Sequence, residues 1–282
     1  MRIVDILNNG ESMLNNANVV NAFYETRMLL EYTLSKSKEW IMVHINDEVN
    51  EESEVLFNSL IKKRTEGFPM QYIIGSCWFM GNEFFVNEDV LIPRADTEVW
   101  VEKIIEFARL NKSKNILDLC TGSGCIAVSL KKALDNVEVC AVDISELAIK
   151  VAEKNANNND VNVKFYKSDL FEGLENMKFD IIVSNPPYIP NKDIEGLDKE
   201  VLKEPYIALA GGEDGLDFYR RIARSAGKFL EDRGLLGLEF GYDQSVQVID
   251  ILKENGFEIL EIVKDYSGNT RAVLSRKGRD NE

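Results

Sequence analysis

The chain has 282 residues, 45% of them hydrophobic and 29% charged, ordinary values for a globular protein and enough chain for two domains. No run approaches the ~18 uninterrupted apolar residues of a membrane span. The start, Met1-Arg2-Ile3-Val4-Asp5, lacks the basic-then-apolar order of a secretory signal, so no membrane and a cytoplasmic location are expected. The net charge of −15 argues against a nucleic-acid partner, because such affinity comes largely from neutralising phosphates.

Cys77, Cys120, Cys125 and Cys140 form no CxxC pair, and His44 is the only histidine, so no metal is expected. A disulfide scaffold does not suit a chain this long without an export signal.

Residues 1–75 read as helices. Apolar positions recur at helical spacing over residues 20–34 and again over residues 51–66. The short apolar segment Trp40-Ile41-Met42-Val43-His44 lies between them, and His44 reads as a half-buried helix residue without a catalytic partner. Gly67-Phe68-Pro69 ends the block. Residues 72–79 and 83–86 then read as a β-hairpin turned at Gly81-Asn82, and residues 96–110 as a helix. The domain boundary falls between about 75 and 92.

From Asn115 strands and helices alternate. Strands are expected at 116–119, 137–143, 163–166, 179–184, 235–240, 257–262 and 271–275, with helices at 126–134, 146–157, 216–230 and 244–254. This order predicts an α/β, doubly wound, seven-stranded sheet. The last two strands, joined by too short a loop for a crossover helix, should be antiparallel.

Three successive strand ends carry polar chemistry. Asp118-Leu119-Cys120-Thr121-Gly122-Ser123-Gly124 joins a strand to a helix, and its glycines let the backbone approach a ligand. It is neither a Walker loop nor a full GxGxxG, so nothing grips a β- or γ-phosphate. Asp143, 25 residues past Asp118, suits the two hydroxyls of a ribose. In Ser168-Asp169-Leu170-Phe171 a carboxylate and a neighbouring N–H suit the edge of an adenine. A nucleoside site without a phosphate grip points to S-adenosylmethionine, with S-adenosylhomocysteine as product.

Asn185-Pro186-Pro187-Tyr188 follows the fourth strand. Two prolines cannot continue a central strand, so it must stop at Ser184 or Asn185 and present an amide, a proline carbonyl and a ring. An amide nitrogen is a poor nucleophile, because its lone pair is delocalised. Asn185 Oδ1 and the Pro186 carbonyl can accept both of its hydrogens and aim the lone pair at a methyl group. The same dipoles stabilise the charge that develops on nitrogen, and Tyr188 can stack on the planar group. No strong base is required.

The chain resembles the release factor glutamine methyltransferases (the HemK/PrmC family) over essentially its whole length. The matching residues are Pro69-Met70-Gln71-Tyr72-Ile73-Ile74-Gly75, Phe79-Met80-Gly81 and Phe84-Phe85-Val86, and Val90-Leu91-Ile92-Pro93-Arg94-Ala95-Asp96-Thr97-Glu98. They continue with residues 118–124 and 185–189, Glu204-Pro205, Ala208-Leu209, Gly211-Gly212, Asp214-Gly215-Leu216, Asp265, Gly268 and Arg271.

The resemblance implies a class I (Rossmann-like) methyltransferase domain at 92–282, a β-hairpin linker at 76–91, and a helical domain at 1–75 that docks the substrate protein. It implies methylation of the glutamine side-chain nitrogen (N5) in a Gly-Gly-Gln loop of peptide chain release factors. A nucleic-acid amino-methyltransferase acting on adenine N6 or guanine N2 is the alternative. The acidic charge and the lack of a target-recognition insert weigh against it.

By the same resemblance Cys120, Thr121, Gly122, Ser123 and Gly124 line the methionine and ribose edge of the cofactor. Asp143 takes the ribose, and Asp169 with Leu170 borders the adenine. Asn185 faces both cofactor and substrate, and Pro186, Pro187 and Tyr188 complete the glutamine pocket, with Asn185, Pro186 and Tyr188 catalytic. A monomer is expected. Two positions depart from the family pattern: Cys120 stands where glycine is commoner, and Ala95-Asp96 where Pro-Glu is usual.

Overall fold

The computed structural model describes residues 1–278; the last four residues of the expected 92–282 domain lie outside them. The described chain forms two compact units, one of Met1–Gly75 with Asp198–Lys203, the other of Ser76–Leu197 with the chain from Glu204 onward. Among the described residues no helix is long and apolar enough to cross a membrane.

The first unit contains helices α1 (Ile3–Asn16), α2 (Ala22–Leu34), α3 (Lys38–Val43), α4 (Glu51–Thr65) and α5 (Met70–Ile74). In α1, Ile3, Ile6, Leu7, Gly10 and Leu14 fall on one stripe and are buried. They meet Leu29, Leu30, Phe57 and Ile61 in a common core. Helix α4 starts under an Asn50 side-chain cap, with acids in its first turn and Lys62, Lys63 and Arg64 in its last, as the helix dipole favours. The buried Arg64 guanidinium donates to Glu25 and Glu200. His44 is half-buried at the end of α3, stacked on Trp40 and bonded to the Trp40 carbonyl, with no catalytic neighbour.

One expected strand is corrected. Residues 72–74 are helical in α5, which begins after Pro69 and stops at Gly75 with φ 81°. An apolar run of this length suits either structure, and the flanking proline and glycine decide it. The hairpin is therefore β1 (Ser76–Phe79) and β2 (Asn82–Phe85). Phe79 pairs with Asn82, so the turn residues are Met80 and Gly81 rather than Gly81 and Asn82. Both have positive φ, at 50° and 71°, as a two-residue hairpin turn of type I′ requires. Phe79 and Phe84 are buried in the core of the second unit.

The second unit continues with α6 (Ala95–Asn111), β3 (Asn115–Leu119), α7 (Cys125–Ala133), β4 (Glu138–Asp143), α8 (Glu146–Asn158), β5 (Lys164–Lys167) and β6 (Phe179–Ser184). It ends with α9 (Tyr206–Leu209), α10 (Asp217–Ala226), β7 (Leu230–Glu239), α11 (Ser245–Glu254), β8 (Phe257–Lys264) and β9 (Thr270–Lys277). The helix expected over 216–230 stops at Ala226, because Leu230 is already paired with Phe179 in the sheet.

The sheet order is β5-β4-β3-β6-β7-β9-β8. Strands β3 to β7 run parallel, and β9 is antiparallel to both β7 and β8. Helices cover both faces, so Ile116 and Leu117, which point opposite ways, are both 0% exposed. One face packs on Trp100, Ile104, Ile126 and Val128, the other on Tyr219, Ile222, Val248 and Leu252. The chain leaves β3 toward β4 and β5 and returns to β6 on its other side. The carboxyl ends of β3 and β6 thus flank the switch point where open α/β sheets bind ligands.

Candidate functional site

Three loops meet at that edge. After β3, Cys120, Gly122 and Gly124 have φ of 58°, 55° and 78°. A Cβ on Gly124 would lie 2.9 Å from Ala152 Cβ, so glycine lets α7 pack close to α8. Cys120 adopts the left-handed conformation with a Cβ in place, a conformation that glycine takes without steric cost. Thr121 N–H donates to the Val142 carbonyl at 3.0 Å and Gly122 N–H to Asp143 Oδ2 at 2.9 Å. Asp143 Oδ1 accepts the Ser145 N–H, also at 2.9 Å. Burial raises the Asp143 pKa, against the pull of these backbone donors.

Beyond β5, the Ser168 hydroxyl donates to the Leu170 and Glu172 carbonyls at 3.0 and 2.6 Å. The bonds hold Leu170 at φ 55°, with its own N–H unpaired among the described residues. Asp169 Oδ1 takes a hydrogen bond from Arg221 Nη2 at 2.8 Å. One of the oxygens expected to face an adenine is therefore engaged by a guanidinium.

Cys120, Gly122, Asp143, Asp169, Leu170 and Pro187 line one cleft, the concave, mostly apolar kind of surface that small-molecule sites use. Nothing lies within 4 Å of where a Gly122 Cβ would sit, so the turn leaves open space for a ligand. A nucleoside ligand fits this wall. Asp143 offers carboxylate oxygens, Leu170 a free N–H, and Leu91, Ile144 and Phe218 apolar surface. Thr121 and Ser123 are buried. Thr121 Oγ1 donates inward to Asp118 Oδ2 at 2.6 Å, beneath the turn. Asp118 is wholly buried, which pushes its pKa up to about 7 against the Thr121 bond.

At the end of β6 the Ser184 hydroxyl donates to the Leu119 carbonyl at 2.8 Å, tying β6 to β3. Asn185 is half-buried, and its side chain forms no hydrogen bond with the rest of the described chain. Pro186 and Pro187 are buried. The Tyr188 carbonyl accepts Gln244 Nε2 at 2.9 Å, and burial pushes the Tyr188 phenol up to about 12. The segment after the tetrapeptide closes back on it: Ile189 N–H bonds the Leu209 carbonyl at 3.0 Å and Gly211 N–H the Ile189 carbonyl at 2.9 Å.

Sequence reasoning missed Arg221 and Phe218, which α10 brings to the cleft wall, and Glu239 at the end of β7. No motif marks them, since each meets its partner only through tertiary folding.

The fold and the cleft define a class I methyltransferase. Residues 5–75 match the family described as PrmC N-terminal domain and residues 97–212 the Methyltransferase small domain. The chain is 41% identical to a release factor glutamine methyltransferase of Clostridium acetobutylicum, over 99% of each chain. It is 40% identical to one of Fusobacterium nucleatum, over 97% of this chain and 78% of that one. Among solved structures, a Pyrococcus furiosus methyltransferase superimposes with a TM-score of 0.50 at 18% identity, covering 71% of this chain and 90% of that one. The T. thermophilus 16S rRNA N2 G1207 methyltransferase, solved with AdoMet and guanosine, also gives 0.50, at 20% identity over 72% of this chain and 50% of that one. The chain belongs to the release factor glutamine methyltransferase family. Its methyl donor is S-adenosylmethionine.

Proposed function

We propose that the chain methylates the side-chain nitrogen (N5) of the glutamine in the Gly-Gly-Gln loop of peptide chain release factors. The observation that carries this reading is Asn185, whose amide is unpaired among the described residues and stands at the end of a central strand. Its neighbours there are the prolines that stop the strand. S-Adenosylmethionine supplies a sulfonium methyl group; its sulfur keeps the electron pair of the broken C–S bond.

In this reading Asp143 holds the ribose, and the open side of Asp169 with the Leu170 N–H faces the adenine. Asn185 Oδ1 and the Pro186 carbonyl accept the hydrogens of the glutamine nitrogen and fix its lone pair toward the methyl group. After transfer the nitrogen carries positive charge until a proton leaves to water. Pro187 and Tyr188 wall the glutamine side chain. The helical first unit recognises the release factor, the enzyme works as a cytoplasmic monomer, and nucleic acid is not a substrate.

The test is incubation with methyl-labelled S-adenosylmethionine and a purified release factor. Label should enter the wild-type factor and fail to enter one whose Gly-Gly-Gln glutamine is replaced by glutamate. Labelling of the glutamate form, or of RNA in its place, would overturn the assignment.

A further inference from the structure

The carboxyl end of β7 holds a carboxylate that the reading above leaves without a role. Glu239 is 1% exposed. Thr97 Oγ1 and Trp100 Nε1, both from α6, donate to its Oε2 at 2.7 Å each. No hydrogen bond reaches Oε1 among the described residues. Both donors are neutral, and the Arg271 guanidinium bonds Asp265 and Asp96 instead. Burial raises the Glu239 pKa, against the Thr97 and Trp100 bonds. A glutamine could accept the same two bonds without burying a charge, so a structural need alone does not account for a carboxylate.

Its place in the sheet is informative. β6 and β7 pair in parallel with Ser184 opposite Leu238, so the next residues along are Asn185 and Glu239. Neighbouring strand backbones lie ~4.8 Å apart, and successive side chains alternate between faces. Glu239 points to the face of Gly237, where a Cβ would lie 2.9 Å from Ile104 Cδ1 and 3.5 Å from Trp100 Cζ3.

The geometry points to Glu239 as a buried counter-charge for methyl transfer, a positioning residue that stabilises the positive charge building on the amide nitrogen beside Asn185. As that nitrogen's lone pair becomes the N–CH3 bond, the C–S pair stays with sulfur and the nitrogen turns cationic. The charge persists until the N–H proton passes to water. Methyl transfer moves one positive charge from the sulfonium to the nitrogen, and a fixed negative charge nearer the nitrogen than the sulfur, in a water-poor site, favours the later state over the earlier one. The inference rests on the reading of Asn185 as the amide's holder.

Two isosteric pairs test it: Glu against Gln, and Asp against Asn, at position 239. Single-turnover methylation of a release factor is measured together with S-adenosylmethionine affinity and melting temperature. Glu239→Gln should slow the chemical step on the order of 10- to 100-fold, with cofactor affinity kept within about threefold. Glu239→Asp, shorter but charged, should outpace Glu239→Gln. A purely structural role predicts the opposite order, since glutamine keeps both length and acceptor oxygen. Should Glu239→Gln not fold, Glu239→Asp must still outpace Glu239→Asn. Glu239→Gln at the wild-type rate, Gln faster than Asp, or Asp equal to Asn overturns the inference. Asn185→Ala is run alongside. Full activity there removes the reading of Asn185 itself, whereas its loss beside an unimpaired Glu239→Gln removes only the counter-charge.

Discussion

Asp143 Oδ2 and the Gly122 N–H are 2.9 Å apart, so the carboxylate at the end of β4 also fastens the glycine turn after β3. If Asp143 holds the ribose as proposed, ligand contact and loop geometry depend on one side chain. Asp143→Ala removes the acceptor for both Gly122 and Ser145. The expected cost is about 2 kcal/mol of stability, at roughly 1 kcal/mol per hydrogen bond. Cofactor affinity should fall on the order of 100-fold once a charged acceptor and the loop it shapes are both lost. Calorimetric titration and thermal melts check the two effects separately. Wild-type affinity in a less stable variant would leave Asp143 as a fastener only.

Cys120 holds φ at 58°, a conformation that costs a residue with a Cβ ~1 kcal/mol or more. Replacement by alanine and by glycine removes the thiol equally, but only glycine relieves the backbone. Cys120→Gly should therefore be more stable than Cys120→Ala by about 1 kcal/mol. Denaturant unfolding of the pair measures it, and the reverse order would show that the turn is not strained at this residue.

The strand ends were legible in the sequence because β3, β4 and β6 are covered on both faces. Each reads as an apolar run that halts at a polar residue, as at Asp143 and Ser184. The double proline then located the end of β6. The helical turn over 72–74 was not legible, since the short apolar run Tyr72-Ile73-Ile74 fits either a helix turn or a strand. Side-chain direction was also hidden. Thr121 sits in the motif yet turns inward to Asp118. Arg221 reaches Asp169 across 52 residues of sequence, and Thr97 reaches Glu239 across 142. Such pairs follow from how the helices lie on the sheet, which no local pattern encodes.

Asp118 gives a pH prediction. Its folded pKa of about 7 lies above the ordinary value of ~3.9 expected when unfolded. The folded state thus binds the proton more tightly, and stability falls as pH rises between these values. Above the folded pKa the penalty is complete, at most about 4 kcal/mol. Asn at this position does not titrate. The stability of Asp118→Asn relative to wild type should therefore rise from pH 4 to pH 7 and level off at higher pH. Any fixed packing cost shifts that curve without changing its slope. Parallel curves for the two proteins would mean that Asp118 stays ionised in the fold.

Gly211 offers the sharpest steric test of the tetrapeptide. A Cβ there would lie 2.7 Å from Tyr188 Cα, 2.8 Å from the Tyr188 carbonyl carbon and 2.9 Å from the Pro187 carbonyl oxygen. All three are backbone atoms, so no side chain can swing aside. Gly211 is also bonded to Ile189, which fixes its distance from the segment. Gly211→Ala must push residues 187–188 away from it, and Asn185 with them. Displacements of this order, near 1 Å, cost on the order of 100-fold in rate when the reacting groups must be aligned. The turn after β3, Asp143 and Leu170 lie on other loops and only the Pro187 edge of the cleft moves, so S-adenosylmethionine affinity should fall much less than the rate. Steady-state kinetics on a release factor, with cofactor titration of the same preparation, separate the two. A Gly211→Ala enzyme at full turnover would show that the Asn185 segment tolerates movement, and that its alignment does not set the rate.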